Sequence, residues 1–495
     1  MERTTKEKIT KEYFVQKIKN FKSWFEEFSK TNAFIYAVIG VVFLFHALAL
    51  DLFGIATMAI LAILSYLFVK NCRAGLTFTL SAIFVVSSKN SPGYSAGENY
   101  YAKPQILIPI ICLIVLLVVS MLIRCIKNRK NYKNAKLYIP MAILFIALSL
   151  SGVGREYYEE SILFGVIMGL SYFAIYLLFV GCIDSFDGLF DYIATLLSAL
   201  CLLIAVQVFF FYAMSLLKNA KFDSSWKDRI VIGWGVSNIV GEMMVFFMPF
   251  VMYKVQKSKH YNFYNIVSLM AMAALVLTLN RAGMLFGFIV FGFLWIRNFI
   301  KSKNRRVLAL SAIIFVSLGI IALMVATAVT NLGGVFEYFE TVFIKNDRIS
   351  LSSRDKLWKQ AIKFFKESPW VGEGFARSFN EQIYGSPRST MFHTLSHNFI
   401  FQILGSGGVM GLVSAGIFIF AMIKTYTKKY EGKIFAISFG ILYLGISLLD
   451  TTYFITYAVM FMIFITATVE KLSKKEEEKD VQKTTKKEAK AENKG

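Results

Sequence analysis

No Cys-x-x-Cys pair occurs in this sequence. Its five cysteines, Cys72, Cys112, Cys125, Cys182 and Cys201, lie in apolar runs or in loops assigned to the cytoplasm. That distribution excludes a disulfide framework and a cysteine-based zinc site. Histidine is scarcer still: His46, His260, His393 and His397 are the whole set. His393 and His397 are four apart, but no HExxH pattern and no third ligand accompany them, so no metal and no cofactor is expected. Acidic residues are outnumbered, 32 against 54 basic ones, for a net charge of +22. The basic residues are scattered over short loops and tails rather than gathered on one folded face. This excludes a nucleic-acid partner and fits the Lys/Arg excess of cytoplasmic loops in membrane proteins. The first 30 residues are charged and amphipathic, with no small-residue cleavage site after them, so no secretory signal peptide is expected. No internal repeat is evident.

What the chain does have is apolar sequence. Of 495 residues, 56% are hydrophobic, and the mean hydropathy is +0.56. No soluble core of this size absorbs that much apolar side chain. The expected fold class is therefore all-α: a polytopic transmembrane helical protein of about 12–14 spans, since a span needs about 20 apolar residues. The runs fall at about 32–52, 54–70, 74–89, 105–124, 137–152, 161–183, 190–214, 232–253, 262–280, 282–299, 307–328, 409–424, 433–450 and 452–470. Residues 1–30 space Phe14, Ile18, Phe21, Trp24, Phe25 and Phe28 along one helical face, as in a helix lying on the inner membrane surface. Residues 471–495 are Lys/Glu-rich and are expected to be a disordered or solvated helical cytoplasmic tail.

Loop charge sets an expected orientation. With the N-terminus inside, the inner loops include Lys70–Arg73, Arg124–Lys136 with six basic residues, Lys254–Lys259, Arg297–Arg306 and Lys424–Lys433. Only the inner loop Asp184–Asp191 breaks the pattern. Both termini are then cytoplasmic, and a large loop at 329–407 is outside, between transmembrane regions 31–328 and 408–470.

That outer loop is the one long polar interruption, and it carries turn residues, aromatics and helical periodicity. Ser352 or Ser353 can cap a helix with Leu357, Trp358, Ala361, Ile362, Phe364 and Phe365 on one face, stopped by Pro369. Arg354 sits in its first turn, where a cation opposes the helix dipole. It is either an exposed arginine paired with Asp355 or Glu373, or a two-pronged clamp on an anionic ligand such as phosphate. Gly372 and Gly374 read as a tight turn with close backbone approach. Ser396 can cap a second helix through Phe399, Ile400, Ile403 and Leu404, ending at the glycines 405–408. His397 would then take the first helical position, where the dipole favours a neutral imidazole suited to general-base work; the alternative is a satisfied interface histidine. Arg281, between two apolar runs, either snorkels to the interface or faces a polar cavity. Arg229 is a weaker possibility on the same face.

The order Asn280-Arg281-Ala282-Gly283, Arg354-x3-Trp358, Pro369-Trp370-Val371-Gly372-Glu373-Gly374, His397-Asn398 and Gly405-x2-Gly408-x2-Gly411 resembles the O-antigen ligase and O-antigen polymerase superfamily. The resemblance is specific over about 275–415 and rests on topology elsewhere. Two departures stand: Asn280-Arg281-Ala282 replaces the family's frequent Ser-Arg-Gly, and the span count exceeds the roughly twelve typical of ligases.

The resemblance implies glycosyl transfer on the outer face of the bacterial cytoplasmic membrane, from a glycan on undecaprenyl pyrophosphate. It implies that Arg281 and Arg354 bind pyrophosphate and that His397 is the base, with Arg229, His393, Asn398, Trp358, Gly372 and Gly374 in support. The expected activity is a metal-independent polymerase of lipid-linked repeat units, building a capsular or O-antigen-like cell-envelope polysaccharide. Its expected partners are the lipid-linked glycan, the bilayer, a flippase and a chain-length regulator. The alternatives are a ligase passing the glycan to a lipid, protein or wall acceptor, and a lipid-glycan flippase. A transporter would show repeat symmetry and mid-membrane charges.

Overall fold

Helices dominate the computed structural model, as the apolar runs require: within a bilayer the backbone must satisfy its own hydrogen bonds. The structure describes residues 16–85, 104–156, 158–219, 230–233, 235–302, 305–310, 312–313, 317, 354–375, 396–450, 452–454 and 456–492. Among these, eight helices are long and apolar enough to cross a membrane, and three shorter apolar helices accompany them. The chain is an all-α polytopic membrane protein. The span read at 307–328 lies mostly outside the described residues, as do Arg229 and His393.

One compact unit comprises residues 1–129 and 181–184. Its first helix, α1 (Gln16–Phe28), meets α2 (Asn32–Ala47) at a 95° bend. Thr31 makes the corner by capping α2, accepting from the Phe34 N–H. Phe25 and Phe28 pack edge-on against Phe34, while Ile18, Phe21 and Trp24 stay exposed, as expected of a helix on a membrane surface. Next come α3 (Asp51–Phe68), α4 (Arg73–Ala82) and α5 (Pro104–Lys127). At the end of α5, Arg124 donates to the Val69 and Lys70 carbonyls, which α3 leaves unpaired.

The other unit comprises residues 130–180 and 185–495. It holds α6 (Tyr138–Ser149), most of α7 (Tyr158–Cys182), α8 (Leu189–Asn219) and a two-residue hairpin, β1 (Val231–Ile232) with β2 (Gly235–Val236). Then follow α9 (Ser237–Lys257), α10 (Tyr261–Thr278), α11 (Arg281–Lys301), α12 (Arg354–Glu367), α13 (Phe399–Tyr426), α14 (Lys433–Ser447) and α15 (Thr456–Glu492). Helix α9 is buried nearly all round and packs on α8, α10, α11 and α14. An all-round apolar helix has this central place as its stable option. Its rings are the core: Phe246 and Phe250 against Phe439, and Phe247 against Phe461.

One expectation is revised. The helix expected to end at the glycines continues: α13 runs from Phe399 through a kink at Gly408 (φ 57°, ψ −151°) to Tyr426. Of the two forms expected for the tail, the helical one is found, to Glu492. The acidic loop that broke the charge pattern also finds its reason. Within the first unit Arg124 faces Asp184 at 3.7 Å. Within the second, Lys475 pairs with Asp187 at 2.7 Å and Lys254 with Asp191 at 2.6 Å. The Lys475 ammonium holds the Asp187 carboxyl below its ordinary range. Each acid is thus answered by a basic side chain.

Candidate active site

Short connections make α9, α10 and α11 alternate in direction, and α13 and α14 likewise. Their basic ends gather: Lys257 and the Tyr253 hydroxyl both reach Glu431, and Arg297 lies over the Phe435 ring. Their opposite ends also meet. There Thr452, just after α14, donates to Glu242 near the start of α9 at 2.6 Å, and the Asn280 amide donates to the Asn238 carbonyl. Those of the residues singled out in the sequence that the structure describes belong to this second end.

His397 stands at its centre. It is not the first residue of α13, and Ser396 is not the cap. Asn398 is the cap: its side-chain oxygen accepts from Ile400 N–H at 2.9 Å and Phe401 N–H at 3.2 Å. The Ser396 hydroxyl turns back to the Asn398 carbonyl instead, and its N–H donates to Gln402 Oε1. His397 therefore precedes the helix, in the left-handed region (φ 49°). Such a φ is uncommon for a residue with a Cβ and marks a position held by its surroundings. The Asn398 amide, donating to the Leu448 carbonyl at 2.8 Å, ties this turn to the end of α14.

That tie brings in a residue the sequence reading missed. Asp450 Oδ1 lies 3.1 Å from His397 Nδ1; the carboxylate side chain is 11% exposed and the imidazole 43%. The expectation that the helix dipole sets the ring's electrostatics is therefore replaced by a carboxylate contact. A carboxylate only accepts, so Nδ1 carries the hydrogen, and in a neutral ring Nε2 is the acceptor. Chemically, an imidazole held this way by a carboxylate, with its ring exposed, has the arrangement that base catalysis uses.

Helix α12 is fastened to the same turn. Trp358 Nε1 donates to the Ser396 carbonyl at 3.0 Å, and its ring stacks on Phe401 with centroids 5.1 Å apart. Leu357, Ala361 and Phe364 form the buried face beneath. Trp358 thus ties α12 to the histidine turn, and Arg354 lies one turn earlier on the same helix. Of the two acids considered as its partners, Glu373 faces Arg155 at 3.4 Å and Asp355 faces Lys359 at 3.9 Å.

Gly372 (φ 67°) and Gly374 (φ 82°) make the close backbone approach expected of them. They lace the segment after α12 to the kink of α13. Glu373 N–H donates to the Gly405 carbonyl, Gly374 N–H to the Ser406 carbonyl and Val409 N–H to the Pro369 carbonyl. A Cβ on Gly372 would run into the Ser406 carbonyl and the Gly407 nitrogen. The glycines let two backbones touch, and so fix α12 relative to α13.

Arg281 is the first residue of α11, whose cap is Asn280, accepting from Gly283 N–H at 2.9 Å. Its side chain is exposed. It reaches this end of the bundle through its neighbour Asn280, which lies beside Glu242.

Residues 266–416 match the protein-family model described as O-antigen ligase. The match covers just under a third of the chain. It includes Arg281, Arg354, Trp358, Gly372, Gly374, His397 and Asn398, and it stops before Asp450. No curated protein matches the chain significantly. The family match agrees with the order of the motifs inside it, and on both grounds residues 266–416 of this polytopic membrane protein are similar to the O-antigen ligase family.

Proposed function

We propose that the protein is a membrane glycosyltransferase that polymerises undecaprenyl-pyrophosphate-linked repeat units into a surface polysaccharide, with its active site on the outer face of the bacterial cytoplasmic membrane. The observation that carries this reading is the His397–Asp450 pair inside an O-antigen ligase-type frame. His397 Nε2 takes the proton of an acceptor hydroxyl. The oxygen attacks the anomeric carbon of the donor sugar, and the bond from that carbon to the pyrophosphate oxygen breaks, its electron pair leaving with the pyrophosphate. Asp450 holds the ring and stabilises the imidazolium until its proton passes to solvent. Arg354 and Arg281 offset the charge that develops on the leaving group, so the reaction needs neither an acid catalyst nor a metal.

A second reading, transfer of the glycan to a lipid, protein or wall acceptor, is favoured by the description of the matched family. Lipid analysis of a deletion strain separates the two. Single repeat units accumulating on the carrier indicate a lost polymerase, and long chains accumulating there indicate a lost ligase. An unchanged lipid-linked pool would contradict both.

A further inference from the structure

Behind Asp450 lies a second carboxyl group that the proposed chemistry does not use. Glu242 sits one turn into α9, at the head of the apolar stretch 243–253, and is fully buried. Its Oε2 accepts from Thr452 Oγ1 at 2.6 Å. Its Oε1 is buried and makes no hydrogen bond within 3.5 Å, although the Asn280 amide lies close by. Thr452, which holds Glu242, is two residues beyond Asp450, the partner of His397; Asp450, Asn280, Tyr457 and Tyr443 are the polar groups that share its electrostatic environment. Among the described residues no cation pairs with Glu242.

A buried carboxylate oxygen without a hydrogen bond is expensive. Two carboxylates side by side in apolar surroundings do not both ionise, and one proton shared between them removes the repulsion and the orphan together. The proton would supply the missing hydrogen bond.

We propose that Glu242 is a positioning residue: it shares a single proton with Asp450, so that Asp450 is held by a carboxyl–carboxylate hydrogen bond on one side and orients His397 on the other. Thr452 anchors the far oxygen of Glu242 and aims the near one. The site then extends inward as His397, Asp450, Glu242 and Thr452, and joins the starts of α9 and α13 to the end of α14. The inference rests on the reading of His397 as the base, but the shared proton can be observed without turnover.

The test uses the full-length protein in membranes. Glu242→Gln keeps both hydrogen bonds, because its amide donates to Asp450 and its carbonyl accepts from Thr452. It should retain activity. Glu242→Leu fills the same space in an apolar helix with no hydrogen bond, and misplacing the dyad should lower the rate by about 10²-fold. Thr452→Val should fall between them. Infrared difference spectra of wild type against Glu242→Gln and against Asp450→Asn should show the carbonyl stretch of a protonated carboxylic acid, shifted in D2O, that each variant loses. A wild-type spectrum without that band would overturn the shared proton. So would Glu242→Leu turning over as fast as wild type while His397→Ala is inactive. An active His397→Ala would instead remove the base assignment and leave the infrared result standing on its own.

Discussion

Replacing Asp450 with asparagine keeps the volume and removes the charge that orients His397. The substitution takes away a 3.1 Å hydrogen bond to an ionised acceptor, a type that contributes about 1.5–3 kcal/mol. The imidazole is 43% exposed, so water screens the pair and the lower part of that range is the better guide. At about 1.4 kcal/mol per factor of ten, the range corresponds to a loss of roughly 10- to 150-fold. The rate is to be read in isolated membranes supplied with lipid-linked glycan, as release of the lipid pyrophosphate and growth of glycan product, at matched protein abundance. Residues that act as a unit are not additive. The double variant Asp450→Asn with His397→Ala should therefore be no slower than His397→Ala alone. Wild-type turnover in Asp450→Asn beside an inactive His397→Ala would refute the reasoning, because the ring would then be oriented by something else.

Arg354→Lys keeps the charge but loses the two-pronged grip on phosphate, and it should reduce transfer while leaving membrane abundance unchanged; equal activity would mean that only charge matters there. Gly372→Ala places a side chain at φ 67° against the Ser406 carbonyl. It should cost about 1–2 kcal/mol from conformation alone, read as a lower unfolding temperature of the detergent-purified protein, and unchanged melting would contradict the close approach. A cysteine placed at Ser386, in the polar loop, should react with an impermeant reagent in intact cells. Reaction only after lysis would reverse the orientation.

The apolar runs make the helices legible, because a bilayer rewards continuous apolar length regardless of tertiary detail. Trp358, Arg354 and His397 are also legible, since polar and aromatic residues stand out in a polar segment between spans. The cap is not. Ser396 and Asn398 are both good capping residues, and only the tertiary tie from Asn398 to Leu448 decides between them. Asp450 escapes notice because it reads as a loop residue after an apolar run, more than fifty positions from its partner. Its meaning depends on the start of α13 meeting the end of α14. Glu242 carries a usable signal: an ionisable residue inside an apolar run is a functional candidate by default. That rule points to Arg281 and applies to Glu242 with equal force. Gly372 and Gly374 read as a turn in the sequence, and the structure adds what the turn is pressed against.

The central claim is that His397 is the base of a glycosyl transfer from a polyprenyl-pyrophosphate donor. Its most direct test is single-turnover transfer by purified protein in lipid nanodiscs, with a defined lipid-linked glycan and added chelator, comparing wild type with His397→Ala. The account predicts release of the polyprenyl pyrophosphate and formation of the new glycosidic bond by the wild type, with a loss of about 10²–10⁴-fold in the variant. Equal rates in the two proteins, or a wild-type rate that appears only when a divalent metal is restored, would contradict it.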